Sequence, residues 1–394
     1  MIIFGLIIII LIIYFFISYF WTHFGILILL APTKPWVMEL IKYKDFLNGY
    51  KDEILTFFIV SILILTLIQI FFLNSKFLEK FSIRKLLIIS LITSLIASLS
   101  YPFLSSDIFS YLFAGKMVTF FHLNPYFNAP IVVEGKELWF AFTLWVNNVN
   151  YTIFGTDIKY AYGPVFLAYS LIPFLIFTSA KFLGVFYGLK LLNVMVFMLC
   201  GWMLLKINKN DKKIFAYWFF NPLLILELLI NSHNDLIMVA LFITSIFFSI
   251  VNKNKILQTT AFIASVATKF ISAPLIFTLI FSGKIRLWLF RLSGFAILFY
   301  NAYNPKYMWY YTWIYMIFPF VNLKKRSWII IFLFQSVLLI FAYSKFIIHN
   351  QWGSLDWMPP QQYFRWGLPI LLLISEINIL PIFKKAKLLI SKIV

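Results

Sequence analysis

Cysteine is almost missing: one residue, Cys200, stands in a chain of 394. No internal disulfide can form, and neither a thiolate site nor a cysteine metal cluster is suggested. Acidic residues are scarce too, with 14 Asp and Glu against 33 Lys and Arg, and charged residues make up only 12% of the sequence. Soluble domains carry roughly twice that share, so a water-exposed globular surface is excluded. Internal repeats and low-complexity linkers are also lacking, which argues against a solenoid or a string of tethered modules.

What is present is apolar. Hydrophobic residues make up 62% of the chain, 48 of them Phe, and the mean hydropathy is +0.92. The apolar residues fall in runs of about 20, long enough to cross a bilayer as helices. The chain therefore reads as an all-α polytopic membrane protein of about 10–12 spans, one transmembrane domain over residues 1–394. Expected spans are about 2–24, 54–73, 86–104, 164–180, 185–205, 214–231, 236–251, 257–282, 287–303, 308–323, 327–348 and 366–383. The first lacks a basic leader and a small-residue cleavage site, so it is expected to remain as a span.

The net charge of +19 does not point to nucleic acid, because the lysines sit in small groups at the ends of apolar runs. Lys76, Lys80, Arg84 and Lys85, then Lys324, Lys325 and Arg326, then Lys384, Lys385, Lys387 and Lys392, mark cytoplasmic ends by the positive-inside bias. The loop 105–163, with only Lys116, Lys136 and Lys159, is then expected outside the cytoplasm, as is the glycan acceptor pattern Asn150-Tyr151-Thr152. One conflict arises: if 164–205 crosses twice, the basic loop with Lys206, Lys209, Lys212 and Lys213 falls on the wrong side. A single crossing there, paired with a re-entrant hairpin at 257–282 broken near Lys269 and Pro274, restores the parity at ten crossings.

Within the loop, SSDIFSYLFAGKMV suggests a helix capped by Ser105 or Ser106, with Asp107 in its first turn, where the helix dipole favours an anion. Ile108, Phe109, Leu112, Phe113 and Met117 form an apolar face opposite Asp107, Ser110, Tyr111 and Ala114, the pattern of an amphipathic helix at the membrane surface. Asp107 either stabilises this helix start or does chemistry. Glu227, Asn231, Asn234 and Asp235 recur at helical spacing and share a face, which membrane cost turns toward a cavity or the bundle interior. His233 beside Asp235 is too thin a set for a metal. Lys269 interrupts an apolar run, either as a functional cation or as a lysine snorkelling from a helix end. Arg365 before the last run is a second cation or an interface anchor. Trp309, Tyr310, Tyr311, Trp313, Trp352, Trp357, Tyr363 and Trp366 read as an interfacial belt, with sugar or lipid stacking as the alternative. Asn124-Pro125-Tyr126 and Tyr162-Gly163-Pro164 are turn chemistry.

Taken in order, DIFSYLFAGKMV, LNPY, YGPVFL, NPLLILELLINSHND and TKFISAPLIF resemble the GT-C membrane glycosyltransferases. The likeness is strongest to the polyprenyl-phosphate-dependent mannosyltransferases, particularly the alpha-1,6-mannopyranosyltransferase family of lipomannan synthesis, and covers residues 100–280. His122 and Leu123 precede Asn124 where that pattern has a glycine, and the loop motif holds one acid where some relatives have two. The resemblance implies a hexose, mannose by likeness, passed from a polyprenyl-phosphate donor to a cell-envelope glycan or glycolipid acceptor, in a plasma-membrane protein with an extracytoplasmic active site. Phosphate departs without a proton, so one general base suffices, and Asp107 fills that role with inversion. Lys269 and Arg365 are the candidate partners of the donor phosphate. Tyr111, Asn124, Tyr126, Tyr162, Glu227, Asn231, His233, Asn234 and Asp235 are the candidate substrate contacts. No metal ligand set and no cofactor is assigned, with a divalent ion left open. Two other classes stay in view: a secondary transporter, which would carry matching polar motifs in both halves, and a non-catalytic subunit of a glycan assembly complex, which would not need Asp107.

Overall fold

The computed structural model describes residues 2–19, 35–74, 76–133 apart from 103 and 106, 159–177, 182–303, 308–349 and 359–376. Of these, 84% are helical and none lies in a strand, so the chain is an all-α polytopic protein. The longer α-helices are α1 (Ile2–Ser18), α2 (Pro35–Asn48), α3 (Lys51–Asn74), α4 (Ile83–Leu99), α5 (Asp107–Thr119), α6 (Pro164–Ile176), α7 (Phe182–Ile207), α8 (Asp235–Phe247), α9 (Lys255–Thr268), α10 (Gly283–Tyr303), α11 (Lys325–His349) and α12 (Pro359–Glu376). Among the described residues, four segments are long and apolar enough to cross a membrane: Lys51–Leu73, Phe182–Ile207, Asp235–Asn252 and Lys325–Ser344.

Ring packing fixes which helix ends lie together. Phe4 on α1 meets Phe72, Phe77, Phe81 and Phe220, so α1 begins where α3 ends and α4 starts. At its other end, Ser18 Oγ accepts the backbone N–H of Tyr101 at 2.8 Å. Phe109 on α5 lies on Phe182 and Phe186 at the start of α7, whereas just past the end of α7 Lys212 Nζ meets Glu79 Oε2 at 3.1 Å. Helix α7 thus runs from the α5 end of the bundle to the end that carries Lys76–Lys85.

That path matches the single-crossing alternative for 164–205. The helix in the expected span 164–180 is α6, with 13 residues and roughly 20 Å of rise against a hydrocarbon core of about 30 Å. The region 164–205 traverses the bundle once, so Lys206, Lys209, Lys212 and Lys213 join the other basic loop. Trp202 on α7 packs on Phe247 near the end of α8, which brings the turn at Lys253 to the same basic end. From there α9 returns and stops at Lys269. Ser265 Oγ donates to Ser272 Oγ at 3.1 Å, and the chain reverses as a 3-10 turn, Phe270–Ile276, holding Pro274.

Two expected spans are not regular helices. Residues 215–230 form π-helical turns, Phe215–Phe219 and Ile225–Ile230, on either side of Asn221-Pro222. Proline denies the helix a donor there, and the Asn221 carboxamide accepts from Leu223 N at 3.0 Å instead. Residues 308–316 form a 3-10 helix, MWYYTWIYM, almost all buried. Such backbone is tolerated at membrane depth only when protein surrounds it. It runs antiparallel to α10, with Asn301 Nδ2 donating to Tyr310 O at 3.0 Å and Phe290 on Phe320.

Helix α5 corrects the surface-helix expectation. Ile108, Phe109, Leu112, Phe113 and Met117 are buried, but so are Tyr111 and Ala114 on the opposite face. The supposed polar face carries an aromatic ring and a methyl group, and α6 covers it through Phe166 on Tyr111. On that face only Ser110 and, in part, Asp107 remain accessible.

Candidate active site

Asp107 begins α5, and its backbone N–H donates to Ser105 Oγ at 3.3 Å; Ser106 lies outside the described residues. The carboxylate is held through one oxygen. Tyr111 and Tyr162 hydroxyls donate to Oδ2 at 3.3 and 3.2 Å, and His233 Nδ1 faces the same atom at 3.4 Å. No hydrogen bond to Oδ1 is formed among the described residues.

Behind Asp107 lies a second carboxylate. His233 Nε2 is 3.2 Å from Glu227 Oε2, so the imidazole bridges Asp107 and Glu227, and its ring stacks on Trp309 at 4.0 Å. Glu227 also accepts from Tyr343 OH at 2.5 Å and from Asn231 Nδ2 at 3.2 Å, while Asn231 Oδ1 accepts the N–H of Leu104 at 3.2 Å. Burial by itself raises the Asp107 carboxyl, but the bond and charge of His233, then Tyr162 and Lys269, outweigh it and hold the group below its ordinary value. For His233 burial pulls the imidazole down, and Asp107 and Glu227 overcome it, lifting it to about 9. Both residues lie outside the four candidate spans.

A third ion pair completes the cluster. Lys269 Nζ donates to Asp235 Oδ1 at 2.8 Å, an atom that also accepts from Trp313 Nε1. The ammonium lies over the rings of Tyr310 and Trp313, 4.8 and 5.1 Å from their centroids. The expected single stripe of Glu227, Asn231, Asn234 and Asp235 is therefore folded in two. Ser232 adopts a left-handed φ of 61° and breaks the helix, so Glu227 and Asn231 serve the His233 side while Asp235 starts α8 and holds Lys269. Asn234 is buried between them, with its Nδ2 unbonded among the described residues.

Asp107 and Lys269 open onto one cavity of about 590 Å³, walled by Tyr126, Tyr162, Gly163, Thr268, Phe270, Trp309 and Tyr310 among others. Their side chains are 26% and 20% exposed, whereas Glu227, His233 and Asp235 are fully enclosed. The wall is built by the two turns. Asn124 Oδ1 accepts from Tyr126 N at 2.9 Å, Tyr126 OH donates to Tyr162 O at 2.9 Å, and Tyr160 N donates to Pro125 O at 2.9 Å. His122, standing where the resembled pattern has glycine, has a left-handed φ of 54°, the backbone region in which glycine carries no steric penalty.

Of the sequence candidates, Asp107, Lys269, Tyr126 and Tyr162 line the cavity. Tyr111, Asn124, Glu227, Asn231, His233, Asn234 and Asp235 stand behind its wall. Arg365 is buried in α12 and is not among the lining residues. The aromatic belt reading is corrected for Trp309, Tyr311 and Trp313, which are buried because their segment passes through the bundle; Trp352 and Trp357 lie outside the described residues, as does Asn150-Tyr151-Thr152. Sequence reasoning missed Tyr343 and Lys190. The latter, buried in α7, donates to Ile230 O at 2.7 Å where the π-turn ends. A lysine in the middle of an apolar run was a readable signal for it.

An apolar helical bundle that encloses a carboxylate, an ammonium and an aromatic-walled cavity at one end has the makings of a membrane-embedded enzyme. The family model described as alpha-(1->6)-mannopyranosyltransferase, N-terminal domain, matches residues 30–284, and the chain belongs to that family. It is accordingly a membrane glycosyltransferase of the mannosyltransferase kind. No curated protein and no solved structure matches it.

Proposed function

We propose that the protein transfers mannose from a polyprenyl-phosphate donor to a glycan or glycolipid hydroxyl on the extracytoplasmic face of the plasma membrane, with inversion at the anomeric carbon. The observation that carries this reading is the pairing of Asp107 and Lys269 on one cavity. Asp107 Oδ1 takes the proton of the acceptor hydroxyl as its oxygen attacks the anomeric carbon. The bond from that carbon to the phosphate oxygen breaks on the opposite face, and its electrons leave with the polyprenyl phosphate. The departing phosphate gains one negative charge and needs no proton, so a cation on that side suffices, and Lys269 supplies it. The aromatic rings of Tyr126, Tyr162 and Tyr310 offer flat apolar faces to the sugar.

The test is turnover of Asp107→Asn with labelled polyprenyl-phosphate mannose, measured per unit of monodisperse protein in detergent. Asparagine keeps the size and the bonds from Tyr111 and Tyr162 but cannot take a proton, so transfer should fall by about 10² to 10⁴. Asp211→Asn, in the basic loop at the other end, serves as the control and should retain activity. Equal turnover in the two variants would remove Asp107 from the chemistry.

A further inference from the structure

At the basic end, far from the cavity, α4 and α7 part to leave a second hollow of about 590 Å³. Its floor is apolar and comes from one face of each helix: Ile83, Leu87, Ile88 and Leu91 on α4 against Met198, Leu199, Trp202 and Leu205 on α7. From Ile83 to Leu91 the hollow runs roughly 12 Å along α4, most of one leaflet's share of a hydrocarbon core about 30 Å thick. The polar part of its lining is confined to one end: the Arg84 guanidinium and the Lys206 ammonium, which only donate, and the Asn210 carboxamide, whose NH2 can donate beside them.

Among the described residues no carboxylate lines it. The nearest acids in sequence are engaged elsewhere, Glu79 with Lys212 and Asp211 with the backbone N–H of Lys213 at 2.9 Å. Arg84 and Lys206 are exposed and carry no ion pair among the described residues. The backbone is shaped to present this end: α7 closes with Asn210 N donating to Leu205 O at 2.7 Å, and Lys209 and Asn210 both take left-handed φ values of 54° and 63°. That C-terminal turn brings Asn210 beside Lys206 and opposite the first turn of α4.

We infer that this groove binds one anionic phospholipid, an acyl chain lying between α4 and α7 and the headgroup phosphate held by Arg84, Lys206 and Asn210. The argument for the occupant is charge complementarity together with length. An apolar trough that spans most of a leaflet asks for a lipid chain, and a mouth where two cations meet no ion-pair partner among the described residues asks for a phosphate. The inference does not depend on the transfer reaction.

The full-length protein in detergent, mixed with equal amounts of phosphatidylglycerol and phosphatidylcholine of the same acyl chains, should retain phosphatidylglycerol with a preference of about 10-fold or more in native mass spectra. The double variant Arg84→Gln, Lys206→Gln should lose that preference. Lys80→Gln, Lys85→Gln removes as many charges from the same end but outside the groove, and should keep it. Trp202→Ala, which leaves both charges and removes apolar wall from the trough, should lower retention of both lipids. Equal retention of the two lipids by the unaltered protein would overturn the inference. So would unchanged preference in the Arg84, Lys206 variant, or loss in the Lys80, Lys85 variant. Displacement of the bound lipid by millimolar inorganic phosphate would also overturn it, since the site would then be one for a bare anion.

Discussion

Among the described residues every hydrogen bond and ion contact to the Asp107 side chain falls on Oδ2, which leaves Oδ1 as the atom a substrate hydroxyl can meet. His233 has two effects on it. Its charge keeps the carboxylate ionised, and its ring, clamped between Glu227 and Trp309, fixes the carboxylate's orientation. An imidazolium with a value near 9 is charged across the neutral range and loses its proton only as pH rises through about that value. Transfer should therefore persist into acid below the ordinary carboxylate range and decline in alkali near 9. The charged groups facing His233 are Asp107 and Glu227, with the Tyr343 and Tyr162 hydroxyls bonded to those carboxylates. Replacing the histidine, as His233→Gln, removes the cation, so the Asp107 value should rise and the acid limb of the profile should move to higher pH. The alkaline decline should vanish. A purely structural role would lower the whole profile without moving either limb.

At the level of elements, the site depends on a contact with no spare room. Gly163 precedes α6, and its N–H donates to Thr268 O at 3.2 Å, so the start of α6 is hooked to the end of α9 one residue before Lys269. A methyl group there would lie 1.9 Å from Ala267 O and 2.9 Å from Thr268 O, both backbone atoms. The clash cannot be relieved by a side chain turning away. Gly163→Ala should push the Tyr162 turn off α9, separate Asp107 from Lys269, and lower transfer by 10-fold or more while the bundle stays folded, since displacements near 1 Å at a catalytic group cost about that or more. Far-ultraviolet circular dichroism beside the turnover assay separates the two effects; wild-type activity would show that the two turns tolerate separation.

The same residues explain what sequence could show. Asp107 and Lys269 were readable because charge is costly in apolar runs, and the turns were readable because proline and glycine leave few backbone choices. The burial of α5 was not. Its Tyr111 and Ala114 look polar or neutral in one dimension, and only the approach of Phe166 makes that face interior. The split of the Glu227 to Asp235 stripe was hidden for a similar reason: helical spacing assumes a continuous helix, and Ser232 breaks it. The buried 3-10 path at 308–316 reads as an ordinary apolar span, because hydropathy reports burial and not hydrogen-bond pattern.

Across the whole molecule the chain sorts its charge by end. The catalytic candidates Asp107, His233 and Lys269 gather at one end, while Lys80, Arg84, Lys206, Lys212 and Lys253 share the other through the contacts of Glu79 with Lys212 and Trp202 with Phe247. The positive-inside bias then predicts one orientation for all of them. Single cysteines introduced at Asn128, Lys209 and Lys253 test it, and the native Cys200 is buried and should stay silent in folded protein. Cysteine at Asn128 should react with a membrane-impermeant maleimide in intact cells, and cysteines at Lys209 and Lys253 only after the membrane is opened. The informative position is Lys209. Its reaction together with Asn128 in intact cells would require α6 to cross as well as α7, against the 13-residue length of α6. Reaction of Lys209 and Lys253 in intact cells, with Asn128 reacting only in opened membranes, would instead invert the protein, placing the cavity on the cytoplasmic side, where a donor presented outside could not reach Asp107.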